Sequence, residues 1–350
     1  MRVAFIVGAL DNNQLGRAHS LWLVSRAAGH EARIYSVKGG ELWAPLRGST
    51  AFGAACHTVT RQELVTDLRA SSDVVVAVKA VPDSLGVALG VAKEAQRPLV
   101  VDIDDPDLEI HIAYGRRLRL LARRAKHPQR YKALSELRRA AMSLPTITSN
   151  PILHKVYGGH MIPHARPDFG AGNNHVSHTP MVGFIGTPRP HKGIDVLRAA
   201  VGRLADRGYT LVITAETPPG QAMPWERWVG VTSSMEGMAL LRRCDIVALP
   251  STLADYAPAQ LPMKLIDAML AARAIAVSDV GPMPWAVRGA GLVFEPGSVE
   301  SLVEALEALC DPSVRSDLGA DARSIAVRRF TPEALAPVLD EALNAARERS

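Results

Sequence analysis

The stretch from Val182 to Ala200, VGFIGTPRPHKGIDVLRAA, decides how this chain folds. Val182, Phe184 and Ile185 read as an apolar strand that breaks at Gly186. A proline-punctuated turn follows with Arg189, His191 and Lys192, and Gly193 then opens an amphipathic helix. The order is strand, cationic turn, helix N-terminus. A helix N-terminus offers free N–H groups and the positive end of the helix dipole, and Arg189 with Lys192 adds charge beside it, so this pattern can hold a phosphate or diphosphate. The plainer alternative is an ordinary strand-to-helix turn with solvated charges, and the stretch alone leaves both readings open.

The same alternation runs outward in both directions. Towards the N-terminus, Val3 to Val7 reads as a buried strand, Leu15 to Ala28 as a helix ending at Gly29, and Ala32 to Val37 as the next strand. Strands from Asp73 to Val78 and from Leu99 to Ile103 flank a helix from Ser84 to Ala95. Towards the C-terminus, strands are expected at 210–214, 246–249 and 275–278. Strands alternating with helices imply parallel βαβ units. Between the two series, 165–179 (ARPDFGAGNNHVSHT) is rich in Gly, Asn and His and reads as a linker by composition. The expected organisation is an N-terminal Rossmann-like domain at 1–165, a linker at 166–180, a second Rossmann-like domain at 181–330, and a C-terminal helix at 331–350 packing back on the first domain. Two doubly wound domains facing each other across a cleft would bind ligands at the carboxyl ends of their strands.

Bulk composition narrows the class. The chain has 350 residues, 47% hydrophobic and 21% charged, enough for two domains with real cores and unlike a disordered chain. No apolar run is long enough to span a bilayer, and the N-terminal MRVAFIVGAL passes straight into DNNQ without a cleavage site, so it reads as a core strand and not a signal peptide. Cys56, Cys244 and Cys310 are scattered and odd in number, which favours a reducing, cytoplasmic setting and no disulfide framework.

Three further segments in the second half add specificity. They are GTPRPHKGIDVL at 186–197, EGMALLRRCDIVALPS at 236–251, and LPMKLIDAMLAARAIAVSDV at 261–280. In this order and spacing, with Pro296-Gly297 and the tail from Arg323 to Phe330, the region from Val182 to Phe330 resembles the nucleotide-diphospho-sugar glycosyltransferases of the GT-B fold, in particular the retaining family 4 group. The resemblance implies an α/β fold of two Rossmann-like domains. It implies transfer of a sugar from a UDP- or GDP-sugar to an acceptor hydroxyl with retention, without a metal or other cofactor.

The third segment can also be read physically. Pro262 suits the first turn of a helix running through Lys264, Leu265, Asp267 and Met269. The N–H groups of that turn, from Pro262 through Met263, can face an anion with Lys264 adding charge. Asp267, one turn in, can accept hydrogen bonds from two ribose hydroxyls, the task the resembled family gives to an acid there. The alternative is an acid that merely complements the helix dipole. Many relatives carry a second acid eight residues earlier, against the donor sugar. Here that position is Ala259, and the candidates for the sugar are Asp255, Gln260 and the backbone at Leu261. Gly186, Arg189 and Lys192 complete the expected diphosphate site. Arg189 and Lys192, with Asp104, are the expected catalytic groups.

The acceptor is expected on the N-terminal half. Asn12, Asn13 and Gln14, between the first strand and first helix, offer amides suited to polyols. The strand end VVDIDDPDLEIH presents Asp102, Asp104 and Asp105, then Glu109 and His111. Asp104, Asp105 and His111 can meet the hydroxyls or amines of a small polar acceptor such as an aminocyclitol. The alternative is a helix N-cap cluster before Pro106. His164 reads as hinge structure first. From Arg116 to Arg139 stand ten Lys/Arg and one acid, Glu136, a net +9 where the whole chain carries +5. Interleaved with leucines, this resembles a basic amphipathic helix suited to an anionic membrane surface or a lipid-linked acceptor, or simply a solvated face. With aromatic residues at 5% and Tyr131 alone in that stretch, nucleic acid is not the expected partner. A GT-B-fold epimerase or phosphorylase, or a non-catalytic nucleotide-sugar binder, remains as the competing class.

Overall fold

A computed structural model describes residues 1–112, 117–217, 222–253 and 259–349; the side chains of residues 111 and 117–120 are outside that description. The chain divides into two compact units, Met1–Ala165 with Phe330–Ser350, and Arg166–Arg329.

The first unit is built on β1 (Arg2–Val7), β2 (Glu31–Ser36), β3 (Cys56–Thr58), β4 (Val74–Val78), β5 (Leu99–Ile103), β6 (Thr146–Thr148) and β7 (His160–Met161). They form one sheet in the order β3-β2-β1-β4-β5-β6-β7, and its strand pairs are parallel. β1 and β4, buried on both faces, read as unbroken apolar runs (VAFIV, VVVAV) because parallel strands are covered by helices above and below. The Gln14–Ala27 helix is buried at Leu15, Arg17, Ala18, Ser20, Leu21, Trp22, Val24 and Ser25, which is more than one stripe. The second covered face belongs to the Pro332–Glu348 helix, whose Leu335, Leu339, Ala342, Leu343 and Ala346 join the core of Val3, Phe5, Leu21 and Val76. The C-terminal helix thus returns to the first unit, as its apolar periodicity suggested.

The second unit holds β8 (Met181–Phe184), β9 (Thr210–Ile213), β10 (Glu226–Trp228), β11 (Ile246–Leu249), β12 (Ala274–Ser278) and β13 (Leu292–Phe294). The sheet order is β10-β9-β8-β11-β12-β13, again parallel. Both sheets reverse winding direction beside their first strand, between β1 and β4 and between β8 and β11. In doubly wound sheets that reversal opens a crevice at the carboxyl ends of the two strands.

Two expectations change. The segment read as a free linker is fastened to the second unit. Arg242 donates to the carbonyl of Ala171 (2.7 Å), Arg273 to that of Asn173 (2.6 Å), and Arg323 pairs with Asp168 (2.7 Å). A stretch poor in apolar side chains is held by arginines that satisfy its carbonyls, a form of order that composition does not reveal. The basic stretch is not one helix but two, Arg117–Lys126 and Pro128–Ser143. Pro128 forces the preceding His127 out of helical geometry. Leu134 and Leu137 are buried while Leu121 is exposed, and Arg138 is drawn to Glu109 (3.1 Å). Among the described residues no helix is long and apolar enough to cross a membrane.

Candidate functional site

The cationic turn sits at the winding reversal of the second sheet. After β8 the chain reaches Gly186, whose φ of 143° lies where side chains are rarely tolerated and whose N–H donates to Thr214 Oγ1 (2.7 Å). The space where a Cβ would stand at Gly186 is open within 4 Å. A short 3-10 turn, Pro190–Lys192, then ends at Gly193 with φ 64°, and the Ile194–Arg203 helix begins. A Cβ on Gly193 would come within 1.9 Å of the Pro250 carbonyl oxygen. Thr252 N–H donates to the His191 carbonyl (2.9 Å). The turn after β8 is therefore locked to the loop after its neighbour β11. Arg189 is exposed, Lys192 half-buried and His191 buried. Burial, with the charges of Lys192 and Arg189, holds the His191 imidazole below its ordinary value, a direct sign of positive potential at the turn.

From the same loop the chain enters the Met263–Leu270 helix. Pro262 is its N-cap, not its first-turn residue: ψ of 126° leaves it extended while its carbonyl already accepts from Leu265 N–H (3.1 Å). Met263 and Lys264 open the helix, both half-buried. Asp267 lies one turn in, as expected, but its side chain is 1% exposed and is held by Arg166 (Nε 2.6 Å to Oδ1, Nη2 3.3 Å to Oδ2), with Lys264 Nζ at 3.7 Å. Arg166, which carried no signal in the sequence beyond standing at the start of a polar segment, is thus part of this site. The pocket beside them is lined by Pro167, Phe169, Met238, Arg242, Asp267 and Leu270. Ala259 and Leu261 are buried and Gln260 is half-buried. Asp255 lies outside the described residues.

In the first unit the loop residues after β1 are partly committed to their own backbone. Gln14 accepts from Gly8 N–H through Oε1 (2.8 Å), and Asn12 accepts from Gln14 N–H through Oδ1 (3.0 Å), an Asx turn that starts the helix. Asn13 is exposed.

The acids after β5 take three different roles. Asp102 is fully buried against Arg17, whose guanidinium donates to it at 2.6 and 3.1 Å and also to the carbonyls of Ile162 (2.8 Å) and Pro163 (3.1 Å). Burial pushes the Asp102 carboxyl up to about 6 against the pull of Arg17, so the pair is charged at neutral pH. It fastens β5 to the first helix. Glu109 is buried under Arg138 and the Tyr157 hydroxyl (2.5 Å), an anchor for the Pro128–Ser143 helix. Asp104, Asp105 and Asp107 converge instead on Lys79, with His164 Nε2 4.0 Å from Asp104 Oδ2. Asp104 is turned inward at 4% exposure; Asp105 and Asp107 reach solvent at 20% and 30%. The His111 side chain is outside the described residues.

Lys79 and Asp107 went unnoticed in the sequence. The available signal was a lysine directly after the all-apolar VVVAV, where a strand leaves the core.

Comparison with known proteins gives these sites a context. Residues 179–311 match the model of a family described as Glycosyl transferases group 1. No curated protein sequence matches the chain. Among solved structures, the chain is similar to Anabaena HepE in complex with UDP-glucose (TM-score 0.68, 16% identity, 99% of this chain and 100% of that one). It is similar to sucrose-phosphate synthase from Thermosynechococcus elongatus (TM-score 0.67, 15% identity, 100% of both chains). A glycosyltransferase from Rickettsia africae superposes with TM-score 0.71 at 11% identity, over 100% of this chain and 99% of that one. At such identities the likeness is one of fold, and that fold is GT-B.

Proposed function

We propose that this chain, a GT-B-fold protein whose residues 179–311 carry the group 1 glycosyltransferase signature, moves a sugar from a nucleoside-diphosphate sugar to an acceptor hydroxyl with retention of configuration. The observation that carries the reading is the turn at 186–193. It is cationic, it is followed by a helix N-terminus, and it is locked through Gly193 and His191 to the loop after β11 at the winding reversal of the sheet. UDP is the favoured nucleotide, because the HepE structure of the same fold holds UDP-glucose.

In this reading Gly186 gives the diphosphate a close approach to the backbone, where its missing side chain leaves open space. Arg189 and Lys192 offset the charge that grows on the leaving diphosphate as the anomeric C–O bond breaks. The Ile194 and Met263 helix starts add their dipoles, with Lys264 beside the latter. Asp267, shared with Arg166, receives the ribose hydroxyls. No side chain serves as a nucleophile. The acceptor hydroxyl attacks from the face the diphosphate leaves, and its proton passes to a diphosphate oxygen, which gives retention. The first unit contributes acceptor contacts from Asn12, Asn13, Gln14, Asp105 and the inward Asp104. Its surplus of carboxylates favours a small polar acceptor bearing an amine.

The test is a melting assay with UDP, GDP, ADP and TDP sugars, followed by assay of released sugar and of the anomeric configuration of the product by NMR. A UDP-sugar should raise the transition, release sugar slowly and yield a product of unchanged configuration. If no nucleotide shifts the melt, the donor site is misassigned; an inverted product would overturn the same-face mechanism alone.

A further inference from the structure

Three carboxylates crowd together just past β5. One oxygen each from Asp104, Asp105 and Asp107 lies within 4.8 Å of the other two. Three such charges in a partly buried cup repel one another strongly, and the fold must supply protons, a metal ion or a cation to hold them. The neighbouring strand supplies one. Lys79, directly after β4, places Nζ 2.5 Å from Asp105 Oδ2, 3.2 Å from Asp104 Oδ1 and 3.4 Å from Asp107 Oδ2. An ammonium group has three N–H donors, and here three carboxylates face it.

Two features set this apart from a surface ion pair. The Lys79 side chain is only 4% exposed, as is that of Asp104. The Lys79 backbone also has φ 69°, a left-handed conformation that costs a residue with a Cβ about 1–2 kcal/mol. A glycine would make this turn without that penalty, so a lysine here is explained by what its ammonium reaches. His164, 4.0 Å from Asp104, and the closed Arg17–Asp102 pair are the other charged or titratable groups of this corner.

We propose that Lys79 is a built-in substitute for a metal ion: its ammonium occupies the seat that a hard divalent cation takes in a three-carboxylate cup, and so holds Asp104, Asp105 and Asp107 in place without one. Lys79 is a positioning residue for the acid cluster, and the inference does not depend on the donor or the reaction. Its consequence is specific. Taking the side chain back to Cβ leaves three oxygen ligands and an emptied volume, the donor set that Ca2+ and, with more water, Mg2+ prefer. A residue that is apolar but equally long removes the charge and still fills the seat.

The experiment compares wild type, Lys79→Ala and Lys79→Met, each expressed with and without 10 mM CaCl2. Melts are recorded in EDTA and in excess Ca2+, Mg2+ or Mn2+, and Mn2+ binding is followed by electron paramagnetic resonance. Wild type should melt alike in EDTA and in Ca2+ and should bind no stoichiometric Mn2+. Lys79→Ala should melt lower in EDTA, regain about 3 °C or more with Ca2+, and bind one Mn2+ per chain. Lys79→Met should be destabilised without recovery, and adding Asp107→Asn to Lys79→Ala should abolish the recovery. The proposal is overturned if wild type binds Mn2+ stoichiometrically, if Lys79→Met recovers as Lys79→Ala does, or if Lys79→Ala is indifferent to cations. Failure of Lys79→Ala to fold even when expressed with Ca2+ also overturns it.

Discussion

A single ammonium group at Lys192 stands where β8 hands over to a helix, and the chemistry proposed for the donor needs charge there when the diphosphate departs. Removing one preorganised donor of this kind lowers turnover by about 10²–10³-fold. Lys192→Ala is expected to lose that much sugar transfer while its circular dichroism and melting profile stay those of wild type; retained turnover would contradict the role. Next to it, His191 makes a pH prediction. Burial and two adjacent cations hold its imidazole below the ordinary value, so it stays neutral in the fold while the unfolded chain protonates near 6.5. Below that pH the unfolded state binds more protons, and the folded state loses stability as pH falls. Urea unfolding at pH 7.5 and pH 5.5 should show a larger loss for wild type than for His191→Gln, whose side chain cannot protonate. Equal losses in the two would show that His191 does not sense the turn's charge.

Elements act here through the way their ends meet. The turn after β8 and the loop after β11 touch through a backbone that has no room for a side chain, since a Cβ at Gly193 would stand 1.9 Å from the Pro250 oxygen. Gly193→Ala must move one loop away from the other and also take φ 64° with a Cβ present. It is expected to lose about 2–4 kcal/mol of stability by chemical denaturation, near the upper end for single substitutions. It should weaken nucleotide binding in the surviving folded fraction. A stability loss without any change in nucleotide affinity would separate the turn from the ligand. The helices flanking this contact were readable beforehand, because proline and glycine punctuate them locally. The one-residue displacement of the Pro262 helix start reflects ψ at Pro262, which the residue type leaves open.

At the scale of the whole molecule, the last helix completes the first unit after the chain has built the second. Leu339 is fully buried there, in one core with Leu21 and Val76, and its truncation to Ala should remove about 2–5 kcal/mol. Hydrogen exchange of Leu339→Ala should quicken in β1, β4 and the Gln14–Ala27 helix, while strands β8, β9 and β11 keep wild-type protection. Faster exchange throughout both units would mean that the two cores unfold as one. Across the molecule the buried charges are matched over long stretches of chain: Arg17 with Asp102, Lys79 with Asp104, and Arg166 with Asp267.

The sequence by itself determined the alternation of strands and helices, the restart at Val182, the returning C-terminal helix and the cationic turn. Each of these is written in neighbouring residues, through apolar periodicity or through glycine and proline chemistry. Which charge meets which was decided only by the tertiary structure. Parallel sheet order sets the ends of β4 and β5 side by side and so brings Lys79 to Asp104, Asp105 and Asp107. It also sets the ends of β8 and β11 together, so that Gly193 meets Pro250. A lysine, an arginine or an aspartate carries the same local signature whether it is solvated or buried against a partner a hundred residues away. Only the crossing of the chain in space distinguishes the two.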